Sequence, residues 1–168
     1  IPKLDYLRWA ARSTAARGWS NGVWWWIDPD QILVKPPFDD AQARGAVVAN
    51  AVSGGVWMLG DDLPALSDER LDRAMQPTLM SMRGMRGVPR DPLTFVSGID
   101  PGPPFEGVNP NDHVPHIWDF GDGSVALLNV GDEAVEVNGP GGTELLTGVV
   151  SEPGVRVLAP GLGELWVP

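Results

Sequence analysis

The sequence predicts an α/β segment followed by an all-β domain, and three features of its 168 residues carry that prediction. Up to about residue 84, stretches with helical spacing alternate with short apolar runs, the order that parallel strands joined by crossover helices require. From residue 116 onward, short β-like runs are separated by Gly-Asp-Gly, Gly-Asp-Glu, Gly-Pro-Gly-Gly and Pro-Gly, the punctuation of a small antiparallel sandwich. Between the two, residues 82–92 form a Gly- and Pro-rich connection, and the pattern stays irregular from 93 to 115.

In chain order, residues 4–17 read as a helix because Leu4, Leu7, Ala11 and Thr14 fall on one stripe and Gly18 is placed to stop it. Asn21-Gly22 marks a tight turn. Residues 23–27 are apolar throughout and bounded by turn residues, as a strand covered on both faces would be. Asp39 predicts a helix N-cap, and Gln42 can reach back to complete a capping box. That helix should end near Ser53, where Gly54-Gly55 suits a left-handed cap, and residues 56–59 follow as a second buried strand. A third helix starts at Ser67, with Asp68 and Glu69 at the positive end of its dipole, and Pro77 should end it. In the second half the runs are 116–120, 124–130, 134–137, 144–147, 155–158 and 164–167. Val135 and Val137 flank Glu136, which predicts one wet face.

Lys and Arg number 12 against 22 Asp and Glu, a net charge of −10. Such a chain repels phosphate backbones, so no nucleic-acid partner is expected and a neutral ligand fits better. No apolar run reaches the roughly 18 residues that span a bilayer, and Ile1-Pro2-Lys3 does not open a signal-peptide pattern, so no membrane partner is expected. The first residue is not Met, which points to a processed chain or an excised segment. Cys is absent, which removes disulfides, thiolate catalysis and zinc-cysteine sites together. His113 and His116 are spaced i, i+3 beside Asp112, but no third ligand is recognisable and a structural hydrogen-bonding role is the commoner one, so no metal is expected. No glycine-rich phosphate loop follows a strand and no Ser nucleophile elbow occurs, so no cofactor and no Ser/His/Asp catalysis is expected.

The stretch Trp24-Trp25-Trp26-Ile27-Asp28-Pro29-Asp30 concentrates both binding surface and charge. A Trp offers a flat π-face to a sugar ring, a base or a cation, and two carboxylates two residues apart can accept hydrogen bonds or protons. The plain alternative is a buried strand ending in an Asp-Pro turn. Each expected parallel strand delivers carboxylates at its carboxyl end, Asp28 and Asp30 after the first, Asp61 and Asp62 after the second. That end is where chemistry sits in parallel α/β folds. Each of these carboxylates could equally cap the next helix or pair with an Arg.

Taken in order, several motifs resemble the end of the catalytic barrel in the α-galactosidase (melibiase) glycoside hydrolases, of the family 27 and 36 type. They are Trp25-Trp26-Ile27-Asp28-Pro29-Asp30 with Ile32-Leu33-Val34, the helix 39–53, Gly54-Gly55 before a short strand, Gly60-Asp61-Asp62-Leu63, and Leu66-Ser67-Asp68-Glu69-Arg70. In that group Trp-x-Asn-Asp-Pro-Asp closes the seventh strand, a Ser-Asp-Asp-Leu or Ser-Asn-Asp-Leu segment closes the eighth, and an antiparallel β-domain follows. The resemblance implies that residues 1–86 are the last two βα units of a (β/α)8 barrel and that 87–168 are a small antiparallel β-sandwich. Ile27 stands where the family usually has Asn, and Gly60 where it usually has Ser.

A barrel of this kind needs eight strands and about 250 residues, so the resemblance implies that the rest of the barrel comes from an upstream segment or another chain. It also implies that the nucleophile and the acid/base, aspartates on the fourth and sixth strands, lie upstream of Ile1, and no catalytic residue is expected here. In a retaining mechanism two carboxylates stand roughly 5 to 5.5 Å apart. Asp28 and Asp30 could approach that separation, but Pro29 suggests a turn that sets them for capping. The implied function is part of a two-carboxylate retaining glycoside hydrolase acting on an α-galactoside-like carbohydrate, with Trp25, Asp28, Asp30 and Asp61 binding substrate. This segment alone is expected to be inactive. The alternative is a non-catalytic carbohydrate-binding or structural domain of a larger protein, which the departure at Ile27 favours.

Overall fold

The computed structural model describes residues 3–75, 85–90 and 114–168; the expectations about Pro77, Asp112 and His113, and most of the connection between the halves, fall outside these residues. Helix α1 (Leu4–Arg17) buries Ala11 and Thr14 as its stripe predicts, and also Arg8. A buried guanidinium needs partners, and Arg8 has them: it pairs with Asp5 at 2.9 Å and with Asp132, and donates to the Val130 carbonyl. Helix α2 (Asp40–Ser53) opens on the expected capping box, with Asp39 accepting from Gln42 N at 2.9 Å and Gln42 accepting from Asp39 N at 3.1 Å. It closes at Gly54, whose φ of 60° is the left-handed cap that glycine adopts without a Cβ clash. Helix α3 (Asp68–Met75) follows Ser67, whose Oγ accepts from Arg70 N at 3.4 Å.

Among the described residues the second half is antiparallel throughout. Its strands are β1 (Val88–Pro89), β2 (Ile117–Asp119), β3 (Val125–Leu128), β4 (Val135–Gly139), β5 (Gly142–Glu144), β6 (Val150–Ser151), β7 (Gly154–Leu158) and β8 (Gly163–Val167). The main sheet runs β1-β2-β3-β8-β5-β6, and β4 and β7 form a two-stranded ribbon. The expected strand at 144–147 is displaced: β5 ends at Glu144, and 145–147 turn back. The Gly148 N–H donates to the Glu144 carbonyl at 2.8 Å and the Thr147 hydroxyl to the Glu144 carboxylate at 2.6 Å, which closes a local loop in place of a ladder. On β4, Glu136 is exposed and Val137 buried, the alternation its sequence predicts. Arg90 clamps β1 to β2 through both oxygens of Asp119, each at 2.8 Å, and this hydrogen bonding raises the guanidinium pKa further against the opposing effect of burial.

The main sheet lies between two layers. Ala126, Leu128 and Leu165 share a core with Val47, Val48 and Val52 of α2 and with Ile32 and Val34. Their neighbours along the same strands, Val125, Leu127 and Trp166, pack with Val137 and Leu158 of the ribbon. All four residues of β3 are therefore buried, which is why its sequence reads as an unbroken apolar run. One core thus spans the residues on both sides of the expected boundary at 86.

The two apolar runs of the first half are not the covered strands the sequence predicts. Residues 22–24 turn tightly, with the N–H groups of Val23 and Trp24 both donating to the Ser20 carbonyl at 3.1 Å. Trp24 and Trp26 are each 66% exposed, and Val56 and Met58 are exposed as well. Parallel pairing occurs, but slightly later and over few bonds. Val56 N donates to the Ile27 carbonyl at 3.1 Å, Ile32 N to the Met58 carbonyl at 2.8 Å, and Gly60 N to the Ile32 carbonyl at 3.0 Å. An extended run with no second neighbour satisfies its amides in local turns instead of a ladder.

Candidate functional site

The Asp28-Pro29-Asp30 turn lies within the parallel pair, just before its bridge at Ile32 and Leu59. Its conformation is set by its own carboxylates: Asp28 Oδ1 accepts from Asp30 N at 3.0 Å, and Asp30 Oδ1 accepts from Gln31 N at 2.7 Å. Asp30 has a φ of 71°, a left-handed conformation that a short side chain bonded to nearby backbone tolerates. Behind the turn, Asn50 of α2 donates to the Asp30 carbonyl at 3.2 Å. At its entry, Asn21 accepts from Ile27 N at 2.8 Å and donates to the Ser53 carbonyl at 2.9 Å. The turn is thus held from α2 while Asp28 and Asp30 remain exposed.

An open pocket of about 320 Å³ separates this turn from α1. Trp25, Asp28 and Asp30 line one wall, so three of the four expected binding residues come together. The opposite wall carries Trp9, Thr14 and Arg17, which the sequence reading did not single out. Trp9 and Arg17 stand eight residues apart on α1, two turns along one face, and that spacing was the available signal. Thr14 is 2% exposed and its hydroxyl has no hydrogen-bond partner among the described residues. Beside the pocket, Trp24 stands edge-on to Trp19, with ring centres 5.0 Å apart, and 5.9 Å from Trp25.

Asp61 stands apart from this group. Its side chain is 2% exposed, and Oδ2 accepts from Val34 N at 2.6 Å and Lys35 N at 3.1 Å. Oδ1 faces Lys35 Nζ at 3.5 Å, an ion pair without hydrogen-bond geometry. With Arg70, which donates to the carbonyls of Val34 and, at 2.8 Å, Phe38, it fixes the chain leaving the parallel pair. His116 is likewise engaged locally, its Nδ1 donating to the Leu128 carbonyl at 2.9 Å.

A short parallel crossover packs its helix on an antiparallel sheet and carries a carboxylate- and Trp-lined turn beside its bridge, and this arrangement is shared with solved structures. Among them are two proteins described as α-galactosidases and one β-L-arabinopyranosidase. One, a Bacteroides fragilis protein described as an α-galactosidase or melibiase, superposes over 95% of this chain and 38% of its own, with a TM-score of 0.67 and 16% identity. The family GH27 β-L-arabinopyranosidase of Geobacillus stearothermophilus matches over 97% of this chain and 41% of its own, with a TM-score of 0.62 and 17% identity. A second Bacteroides fragilis protein described as an α-galactosidase matches over 84% of this chain and 32% of its own, with a TM-score of 0.54 and 15% identity. The chain therefore spans less than half the length of each of these proteins. No protein-family model and no curated protein matches the sequence.

Proposed function

We propose that this chain is the C-terminal part of an α-galactosidase-like glycoside hydrolase and forms one wall of its sugar cleft. In this reading residues 1–86 contribute the last two βα units of a (β/α)8 barrel, residues 87–168 are the β-domain behind it, and the nucleophile and acid/base come from outside this chain. Trp25 offers a stacking face to the sugar, and Asp28 and Asp30 accept hydrogen bonds from its hydroxyls. Asp61 acts indirectly, holding the backbone at Val34 and Lys35 that shapes the rim.

One observation carries the reading. Next to the parallel pair, Val23, Trp24, Trp26, Val56 and Met58 are all exposed, an apolar face that in a closed barrel would be covered by neighbouring strands. The test is hydrolysis of an aryl α-galactoside by the complete protein, with retention of anomeric configuration. Absence of any hydrolysis would refute it. The second reading, sugar binding without hydrolysis, is favoured by Ile27, an apolar residue where the resembled family usually carries a hydrogen-bonding Asn. It requires that galactose quench tryptophan fluorescence while no glycoside is cleaved.

A further inference from the structure

Gln31 and Gly60 face each other across the parallel pair beside its Ile32–Leu59 bridge. A Cβ built on Gly60 would lie 2.0 Å from Gln31 Oε1 and 2.4 Å from its Cδ. The carboxamide of Gln31 therefore occupies the space that any side chain at residue 60 would take. Gln31 is exposed, and among the described residues its carboxamide makes no hydrogen bond, so both its donor and its acceptor are unspent. Its backbone is fixed all the same, because its N–H is held by Asp30 Oδ1 at 2.7 Å and Ile32 N by the Met58 carbonyl at 2.8 Å. Gln31 also lines an open pocket of about 190 Å³ with Lys3, Tyr6 and Asp30, and Asp30 lines the larger pocket beside Trp25 and Asp28 as well, so the two adjoin at Asp30.

We infer that Gln31 is a specificity-determining residue of the sugar cleft, its carboxamide reading one or two hydroxyls of a neutral pyranose, and that the glycine at residue 60 is what gives it room. The inference rests on the glycosidase reading above. A neutral amide that both donates and accepts, anchored on a backbone that cannot slide, suits a polyhydroxylated ring with no charge, and the net charge of −10 disfavours an anionic ligand. The departure from the resembled motif at Gly60 then has a physical counterpart: a small residue there and a long amide at Gln31 occupy one volume.

The experiment compares kcat/KM of the complete protein on an aryl α-galactoside and an aryl β-L-arabinopyranoside, for the unaltered protein, Gln31→Met, Gly60→Ser and the double variant. Gln31→Met keeps the length and loses the hydrogen bonds, and kcat/KM on the preferred glycoside falls about tenfold, the worth of one neutral hydrogen bond, while the thermal midpoint holds because the side chain is exposed. Gly60→Ser displaces the amide and gives a loss of similar size, and the double variant loses no more than the worse single one, because both changes remove the same contact. Gln31→Met within twofold of the unaltered protein on both glycosides, or losses that multiply in the double variant, overturns this inference alone. No turnover of either glycoside by the unaltered protein overturns the glycosidase reading and this inference with it.

Discussion

Gly163 of β8 rests against Gly45 of α2 so closely that a Cβ on Gly163 would stand 2.9 Å from the Gly45 Cα and 2.7 Å from the Val48 Cβ. A Cβ on Gly45 would in turn fall 2.0 Å from the Gly161 carbonyl oxygen. The helix that links the parallel pair is therefore pressed backbone to backbone on the antiparallel sheet. In an exposed helix a Gly→Ala change gains about 1 kcal/mol. Here the sign reverses, and Gly45→Ala or Gly163→Ala should cost roughly 1 to 3 kcal/mol, as overpacking does. Urea denaturation checks it, and a stabilised Gly45→Ala would show that the two layers are not in this contact.

Glu144 makes the second tie between the layers. Its side chain is 2% exposed, it pairs with Arg44 of α2 at 3.3 Å, and it accepts from Leu165 N at 3.0 Å. Truncating it to Ala leaves a largely buried guanidinium and a buried amide without their acceptor, at a cost of roughly 3 kcal/mol. Combining Arg44→Met with Glu144→Leu should recover most of that loss, because no charge is then left stranded. A double variant as unstable as Glu144→Ala would count against a buried pair.

Asp61 separates support from recognition. Asp61→Ala removes the acceptor of two backbone amides, Val34 N and Lys35 N, and should lower stability by about 2 kcal/mol. Asp61→Asn keeps an acceptor in place and should cost less than about half as much. Neither change should alter KM for a glycoside beyond about twofold when assayed well below the melting transition, since KM reports binding and this side chain faces none of the pocket. A selective rise in KM for Asp61→Asn would place the carboxylate on the sugar instead.

The exposed face of Val23, Trp24, Trp26, Val56 and Met58 predicts how the 168 residues behave by themselves. Exposed large apolar side chains concentrated beside one parallel pair drive association, so this chain should elute from gel filtration above its 18.0 kDa monomer mass. Trp24→Ser with Trp26→Ser should shift it toward the monomer. A monodisperse monomer that melts cooperatively, with no change on those substitutions, would contradict the assignment of this face to the interior of a larger assembly.

Local chemistry was legible in the sequence and pairing was less so. The Asp39–Gln42 box and the Gly54 cap were readable because their partners lie within a few residues. The antiparallel strands of the second half were readable because their turns are punctuated by glycines, and Val137 and Glu136 alternate as one wet face demands. The parallel segments were misplaced because residues 23–27 look like a covered strand whatever covers them, and among the described residues the bonds to the second segment begin at Ile27. Asp28 and Asp30 were found through their motif, and their bonds to Asp30 N and Gln31 N fit the turn that Pro29 suggested. The committed role of Asp61 and the unspent amide of Gln31 depend on which groups the fold leaves unpaired, which no local pattern encodes.

The central claim is that the Asp28-Pro29-Asp30 turn touches sugar in a working glycosidase, and Asp30→Gly in the complete protein tests it most directly. Glycine accepts the φ of 71° without strain, so the carboxylate and its bond to Gln31 N are removed while Asp28 Oδ1 and Asn50 still hold the turn. Glu136→Ala, an exposed acidic residue on the β4–β7 ribbon, is the control. The account predicts that kcat/KM on an aryl α-galactoside falls at least about tenfold for Asp30→Gly, the worth of a charge-assisted hydrogen bond, and is unchanged for Glu136→Ala. Equal activity of Asp30→Gly and the control would contradict it.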